Sequence, residues 1–297
     1  MVHTYECLGR HFALDVESGS VYVVDELTSE LIKAKSPSAE AKGDFSGYDG
    51  AEVAEAEAEI DELIRRGILF SPEPDHPEPV YKGIVKALCL NIAHGCNLRC
   101  RYCFAGDGQY HGNLDFMSPE TACRAIDFLI EKSGGRRRLE VDFFGGEPLL
   151  NMDAVRAAIA HARAVEKAAG KEFRFTITTN AVALTDELID YINREMYNVV
   201  LSIDGRKSVH DAVRKDAAGH GSFDRALENS LKLIRSRGDK SYYVRGTFTA
   251  ENTDFAKDAI ALNDYGFGQI SLEPVVLADD DPLALKESDI PALKEQY

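Results

Sequence analysis

From residue 84 onward the sequence alternates between short strand-forming runs and longer amphipathic runs, and this order constrains the fold more than any other feature. Strand candidates fall at 84–92, 139–144, 173–179, 197–203, 241–249 and 269–275. Helix candidates lie between them at 119–132, 152–169, 186–195, 223–237 and 254–265. Ser118-Pro119-Glu120 is a strong helix start: a capping serine, proline at the first helical position and an acid in the first turn. Thr185-Asp186-Glu187 repeats that logic. Strands that each follow a crossover helix pair in parallel. Six such units are too few to close the eight-stranded barrel. The expected fold class is therefore α/β, an open partial (β/α)6 barrel over residues 83–276.

The first 71 residues follow a different pattern. Residues 11–16 and 20–24 alternate like strands around Glu17-Ser18-Gly19, which predicts a hairpin. Asp25 can cap a helix running to about Lys33, and residues 35–50 read as loop. An Ala/Glu-rich run then offers Val53, Ile60, Leu63 and Ile64 to one face and stops at Gly67. Pro72, Pro74, Pro77 and Pro79 favour an extended linker over 72–82. Residues 277–297 read as the start of a C-terminal extension, ending in a helix beginning without a cap, so a longer chain is expected.

Net charge is −16, which argues against non-specific nucleic-acid binding. Residues 1–82 carry 7 Lys/Arg against 18 Asp/Glu, a balance of −11, which leaves −5 for the rest. Such an excess either steers a basic partner or simply solvates the surface. No apolar run is long enough to span a bilayer, and no secretory signal is evident. The expected location is the cytoplasm.

Three of the six cysteines, Cys96, Cys100 and Cys103, lie within eight residues. Thiolates are soft ligands that suit iron–sulfur clusters or zinc. A structural zinc site takes four protein ligands, and His94 is too close to Cys96 to supply the fourth comfortably. A cubane held by three cysteines keeps one iron open. Cys7, Cys89 and Cys123 read as small core residues.

The cysteine loop follows the first barrel strand. Gly145-Gly146-Glu147 ends the second, Thr178-Thr179-Asn180 the third and Ser202-Ile203-Asp204-Gly205 the fourth. In parallel β/α folds these strand ends share one face, where ligands bind. Each signal alone is weak: a Gly-Gly-Glu turn or a strand exit is ordinary turn chemistry. Arg214 alone reads as a surface cation, although a carboxylate ligand nearby would suit its guanidinium.

At these residues the sequence resembles the radical S-adenosylmethionine superfamily. Cys96-x3-Cys100-x-Tyr102-Cys103 matches its C-x3-C-x-aromatic-C motif, and Gly-Gly-Glu and Ser-Ile-Asp-Gly match as well. The likeness covers roughly residues 84–276. The pattern around His3-x-Tyr5 and Leu14-Asp15-Val16, together with residues 103–112, is similar to the maturases of SCIFF peptides (six cysteines in forty-five residues). The resemblance implies that Cys96, Cys100 and Cys103 ligate three irons of a [4Fe–4S] cluster, with S-adenosylmethionine on the fourth. It implies that Gly146 and Glu147 hold the methionine amino group, with Gly145 binding in the same turn. Tyr102 would lie against the adenine, and Asn180, Ser202 and Arg214 would contact ribose or carboxylate. Reductive cleavage would yield a 5′-deoxyadenosyl radical. The implied partners are a cysteine-rich precursor peptide with a leader segment and an electron donor such as ferredoxin or flavodoxin. The N-terminal module resembles the winged-helix-like domain that grips such leaders by strand addition.

The family departs from this chain in carrying auxiliary clusters on C-terminal cysteines, since no cysteine follows Cys123 here. Three functions follow: thioether crosslinking of a peptide, other radical chemistry such as sulfatase-type maturation or epimerisation, and iron–sulfur peptide binding without turnover.

Overall fold

The computed structural model describes residues 1–36, 43–73, 83–106, 108–110 and 112–296. Most of the proline-rich linker, Asp107 and His111 lie outside the described residues. The chain forms two compact units, Met1–Tyr81 and Lys82–Tyr297.

In the first unit β1 (Val2–Cys7), β2 (Arg10–Asp15) and β3 (Ser20–Val24) form an antiparallel sheet in that order. The expected hairpin is β2–β3, with Ala13 opposite Tyr22. Strand β1 is an addition: exposed Tyr5 and inward Thr4 leave no clean hydrophobic alternation to reveal it. Helices α1 (Glu26–Lys35) and α2 (Gly50–Arg65) close a small core of Ala13, Leu27, Leu31, Ile32, Ile60 and Leu69. Asp25 caps α1 by accepting from the Thr28 N–H at 2.7 Å.

The second unit is built on six parallel strands: β4 (Ala87–His94), β6 (Arg138–Gly145), β7 (Glu172–Thr179), β8 (Asn198–Ser202), β9 (Tyr243–Phe248) and β10 (Ile270–Pro274). They neighbour one another in chain order. A two-residue antiparallel strand, β5 (Asp115–Phe116), extends the edge beside β4. This is the partial barrel expected from the alternation. Helices α3 (Pro119–Lys132), α4 (Met152–Val165), α5 (Asp186–Glu195), α6 (Lys207–Val213), α7 (Phe223–Arg237) and α8 (Ala256–Asp264) make the crossovers. Ser118 and Thr185 cap α3 and α5 as their sequence predicts. Helix α6 is the unexpected one, a seven-residue segment after β8.

The strands bury one face completely. Leu139, Val141, Phe143, Phe173, Phe175, Ile177, Val199, Leu201 and Val244 pack outward against the helices. Phe143, Phe173 and Phe175 stack along adjacent strands. The alternate residues face inward, where six strands leave the barrel open, and these are polar: Asp142, Arg174, Thr176, Thr178, Tyr243, Arg245 and Thr247. Period-two geometry thus separates a hydrophobic scaffold from a wettable interior. Cys89 falls on the inward face and is exposed, which corrects its assignment to the core. Among the described residues no helix is long and apolar enough to cross a membrane.

Candidate active site

The loop after β4 carries the three cysteines, and its neighbours fix its path. Leu98 is buried and bridges to Asp216, while the Arg99 and Arg101 N–H groups donate to Lys215 and Val213 carbonyls at 2.7 and 2.9 Å. On one side lies the turn after β6. The Gly146 N–H donates to the Ala93 carbonyl at 2.7 Å and the Glu147 N–H to that of Gly95 at 2.9 Å. This contact requires glycine: a Cβ on Gly145 would come within 2.5 Å of the Ala93 oxygen, and one on Gly146 within 2.2 Å of the Gly95 oxygen. On the other side Gly108, at φ +86°, leaves no room for a Cβ beside Cys96.

Glu147 is fully buried. One carboxylate oxygen accepts from the Leu149 N–H (3.0 Å) and the Thr179 hydroxyl (2.8 Å), and the other from the Asn180 N–H (2.8 Å). It ties the Gly-Gly-Glu turn to the loop after β7. Burial pushes its pKa up to about 7 despite these three donors. Asn180 in turn donates to the Asn97 side chain at 2.7 Å, with Cys96 Sγ at 3.7 Å.

Asp204 is a second buried hub. Its carboxylate accepts from the Tyr102 hydroxyl (2.7 Å), from Arg214 Nε and Nη2 (2.9 and 3.1 Å) and from the Thr247 N–H (3.0 Å). Arg214 is only 9% exposed, so it is not a surface cation. Burial opposes its charge, yet Asp204 outweighs that and holds it firmly protonated. Its remaining nitrogen, Nη1, lies 4.0 Å from Cys100 Sγ, and its guanidinium sits over the Tyr102 ring. Asp204 was visible only as part of the Ser-Ile-Asp-Gly motif; no sequence signal marks its bond to Tyr102.

These elements surround a cavity of about 480 Å3 at the C-terminal ends of the strands. Cys96, Cys100, Tyr102, Cys103, Gly145, Gly146, Asn180, Ser202 and Arg214 all line it. Glu147 does not; it braces the wall from behind. His94, weighed as a metal ligand, lies against the Tyr110 ring.

The thiols fit a cationic centre. Burial pushes Cys96 up to about 12, and Cys100 and Cys103 add to the rise. Burial likewise raises Cys100, while Arg214 works against it. Cys96 and Cys100 therefore ionise only against concentrated positive charge, which iron supplies. Among the described residues no three His, Cys, Asp or Glu side chains converge as a single metal ion needs. Cys96, Cys100 and Cys103 line one cavity, and three soft thiolate ligands there suit an iron–sulfur cluster that keeps one iron open.

Comparisons with known proteins agree with this geometry. The radical SAM superfamily model matches residues 90–254, more than half of the chain. The radical SAM cyclopropyl synthase TigE of Paramaledivibacter caminithermalis is 25% identical over 221 residues, covering 69% of this chain and 44% of that protein. The serine-type anaerobic sulfatase-maturating enzyme of Bacteroides thetaiotaomicron is 30% identical over 150 residues, covering 48% and 34%. The chain thus spans less than half the length of these relatives. Among solved structures, anSMEcpe with bound AdoMet aligns at TM-score 0.63 and 18% identity over 70% of this chain and 57% of that one. Streptococcus suis SuiB aligns at TM-score 0.53 and 14% identity over 99% and 66%. These two structures speak for the fold, and the family match speaks for the kinship: the chain belongs to the radical SAM superfamily, whose members use a [4Fe–4S] cluster and S-adenosylmethionine.

Proposed function

We propose that this chain is a peptide-modifying radical enzyme that forms a thioether crosslink in a ribosomally made, cysteine-rich peptide. The observation that carries the radical half is the convergence of three cysteines, the Gly145-Gly146 turn, Asn180, Ser202 and Arg214 on one cavity. When bound, the reduced cluster and S-adenosylmethionine supply a 5′-deoxyadenosyl radical that takes a hydrogen from a substrate carbon. The chain's own residues prepare that event. Cys96, Cys100 and Cys103 would hold three irons of the cluster. The backbone of Gly145 and Gly146 receives the methionine amino group, with the spare acceptor capacity of Glu147 behind it. Ser202 and Asn180 face the ribose, and Arg214 offers Nη1, its one donor not engaged by Asp204, to the carboxylate. Tyr102, pinned by its hydroxyl to Asp204, would lie against the adenine.

The peptide half rests on the N-terminal unit and on the relatives, some of which mature sulfatases. Strands β1 and β3 are the edges of their sheet and can accept a leader segment as an added strand. A ferredoxin or flavodoxin would deliver the electron in the cytoplasm. The test is anaerobic incubation of a cluster-loaded, full-length version of the protein with reductant, S-adenosylmethionine and a cysteine-rich precursor. A product lighter by two hydrogens per crosslink is expected. Unchanged mass with deuterium uptake from solvent would instead favour epimerisation. Unchanged mass without exchange, across several genuine precursors, would overturn the crosslinking assignment.

A further inference from the structure

Four strands carry the inward face past the upper cavity into a second one. Phe144 lines the upper cavity and Asp142 the lower; the same step relates Thr178 to Thr176, Ser202 to Val200, and Arg245 to Tyr243. Two residues along a strand return to the same face about 7 Å further on. The lower cavity, about 730 Å3, is therefore stacked beneath the radical site on the same open interior.

Its charges are unevenly satisfied. Glu140 pairs with Lys86 at 3.5 Å. Arg174 lies 4.0 Å from Glu172 and its guanidinium covers the Tyr197 ring at 4.2 Å. Arg245, one step higher, is drawn to Glu273. Asp142 has no ion pair among the described residues, and its buried Oδ1 has no hydrogen-bond partner. Burial lifts its pKa to about 6. Buried polar atoms in folded proteins are almost always partnered. Asp142 lines the cavity and has no ion pair among the described residues, so its carboxylate can take a cation that arrives with a ligand. Cys89, Thr176 and Tyr243 bring no positive charge, and Arg174, the one cation lining the cavity among the described residues, is already engaged.

We propose that the lower cavity binds a basic side chain of the substrate peptide on Asp142, so that the residue to be modified is held one cavity higher. The placement of chemistry in the upper cavity rests on the radical reading above; the binding of the cation does not. A lysine ammonium would supply the neutralising charge and a hydrogen bond to the carboxylate. Asp142 thereby acts as a specificity-determining residue that selects peptides with a basic residue near the modified position.

Two small probes test this on the full chain: Nα-acetyl-lysine methylamide and its neutral counterpart, Nα-acetyl-norleucine methylamide, titrated by saturation-transfer NMR. The lysine probe should bind about tenfold more tightly, the scale of one charge-assisted hydrogen bond. Asp142→Asn and Asp142→Leu should each remove the preference. In the unaltered chain the preference should appear as pH rises through about 6, where Asp142 loses its proton. Glu140, Cys89, Arg174, Tyr197, Tyr243, Arg245 and Glu273 also face this interior, so the two variants assign the titration. Equal binding of both probes, or a preference that survives in a folded variant, would overturn the proposal. If neither variant folds, the wild-type pH titration decides alone. The assay contains no S-adenosylmethionine and no reductant. Lysine preference here, with no 5′-deoxyadenosine from the cluster-loaded, reduced chain given S-adenosylmethionine in a separate assay, would overturn the radical reading and keep this one; the opposite pair of results would do the reverse.

Discussion

The two cavities of the barrel differ in how the carboxylates around them are satisfied. Around the upper one, Glu147 and Asp204 have their carboxylates committed to named donors, and glycines seal the turn against the cysteine loop. Around the lower one, Asp142 keeps an oxygen without a partner. The contrast separates a preorganised site, where side chains cost no rearrangement at the moment of reaction, from a receiving site that is completed by what binds.

That contrast can be broken first at Asp204. Asp204→Asn would remove the charge facing buried Arg214 while keeping the shape. Leaving one partner of a buried pair uncompensated costs about 3–5 kcal/mol, to be read by denaturant unfolding of the barrel unit. A loss below about 1 kcal/mol would mean that water already reaches this pair. Next, Glu147→Ala would strand the Leu149 and Asn180 N–H groups and the Thr179 hydroxyl. At about 1 kcal/mol for each stranded donor, a loss of about 2–3 kcal/mol is expected, with reduced iron retention after reconstitution.

The lower cavity should behave in the opposite sense. Asp142 has a folded-state pKa of about 6, above its ordinary 3.8, so the folded state binds its proton more tightly than the unfolded state does. Its contribution to stability is full below the ordinary value and is lost as pH rises toward about 6. Asp142→Asn should therefore match the unaltered chain in acid and exceed it by about 1–2 kcal/mol at neutral pH, by parallel thermal unfolding across that range. A variant that is less stable at neutral pH would show that the carboxylate is structural. The smallest effect is expected at Lys86→Ala, which removes the exposed partner of Glu140: under about 0.5 kcal/mol by the same measurement.

Much of this was legible in the sequence because it follows from short-range rules. Period-two runs gave six strands, capping residues gave the starts of α3 and α5, and motifs at consecutive strand ends converged on one mouth. What the sequence could not show was long-range pairing. Arg214 looks like a surface cation until β8 and α6 bring Asp204 against it. Tyr102 gives no hint that its hydroxyl is tied 102 residues away. Cys89 reads as core because its run is apolar, yet an open barrel leaves inward-facing residues uncovered. Asp142 carries no motif at all; only the stacking of neighbouring strands reveals its orphaned oxygen.

The central claim is that the Cys96-Cys100-Cys103 loop generates a radical from S-adenosylmethionine. Its most direct test is 5′-deoxyadenosine formation by the anaerobically reconstituted, reduced chain beside Cys96→Ala, Cys100→Ala and Cys103→Ala treated identically. Reductant-dependent 5′-deoxyadenosine is expected from the unaltered chain and only background from each variant, with iron and sulfide content falling in parallel. No product from a chain with verified cluster loading, or undiminished product from any one of the variants, would contradict it.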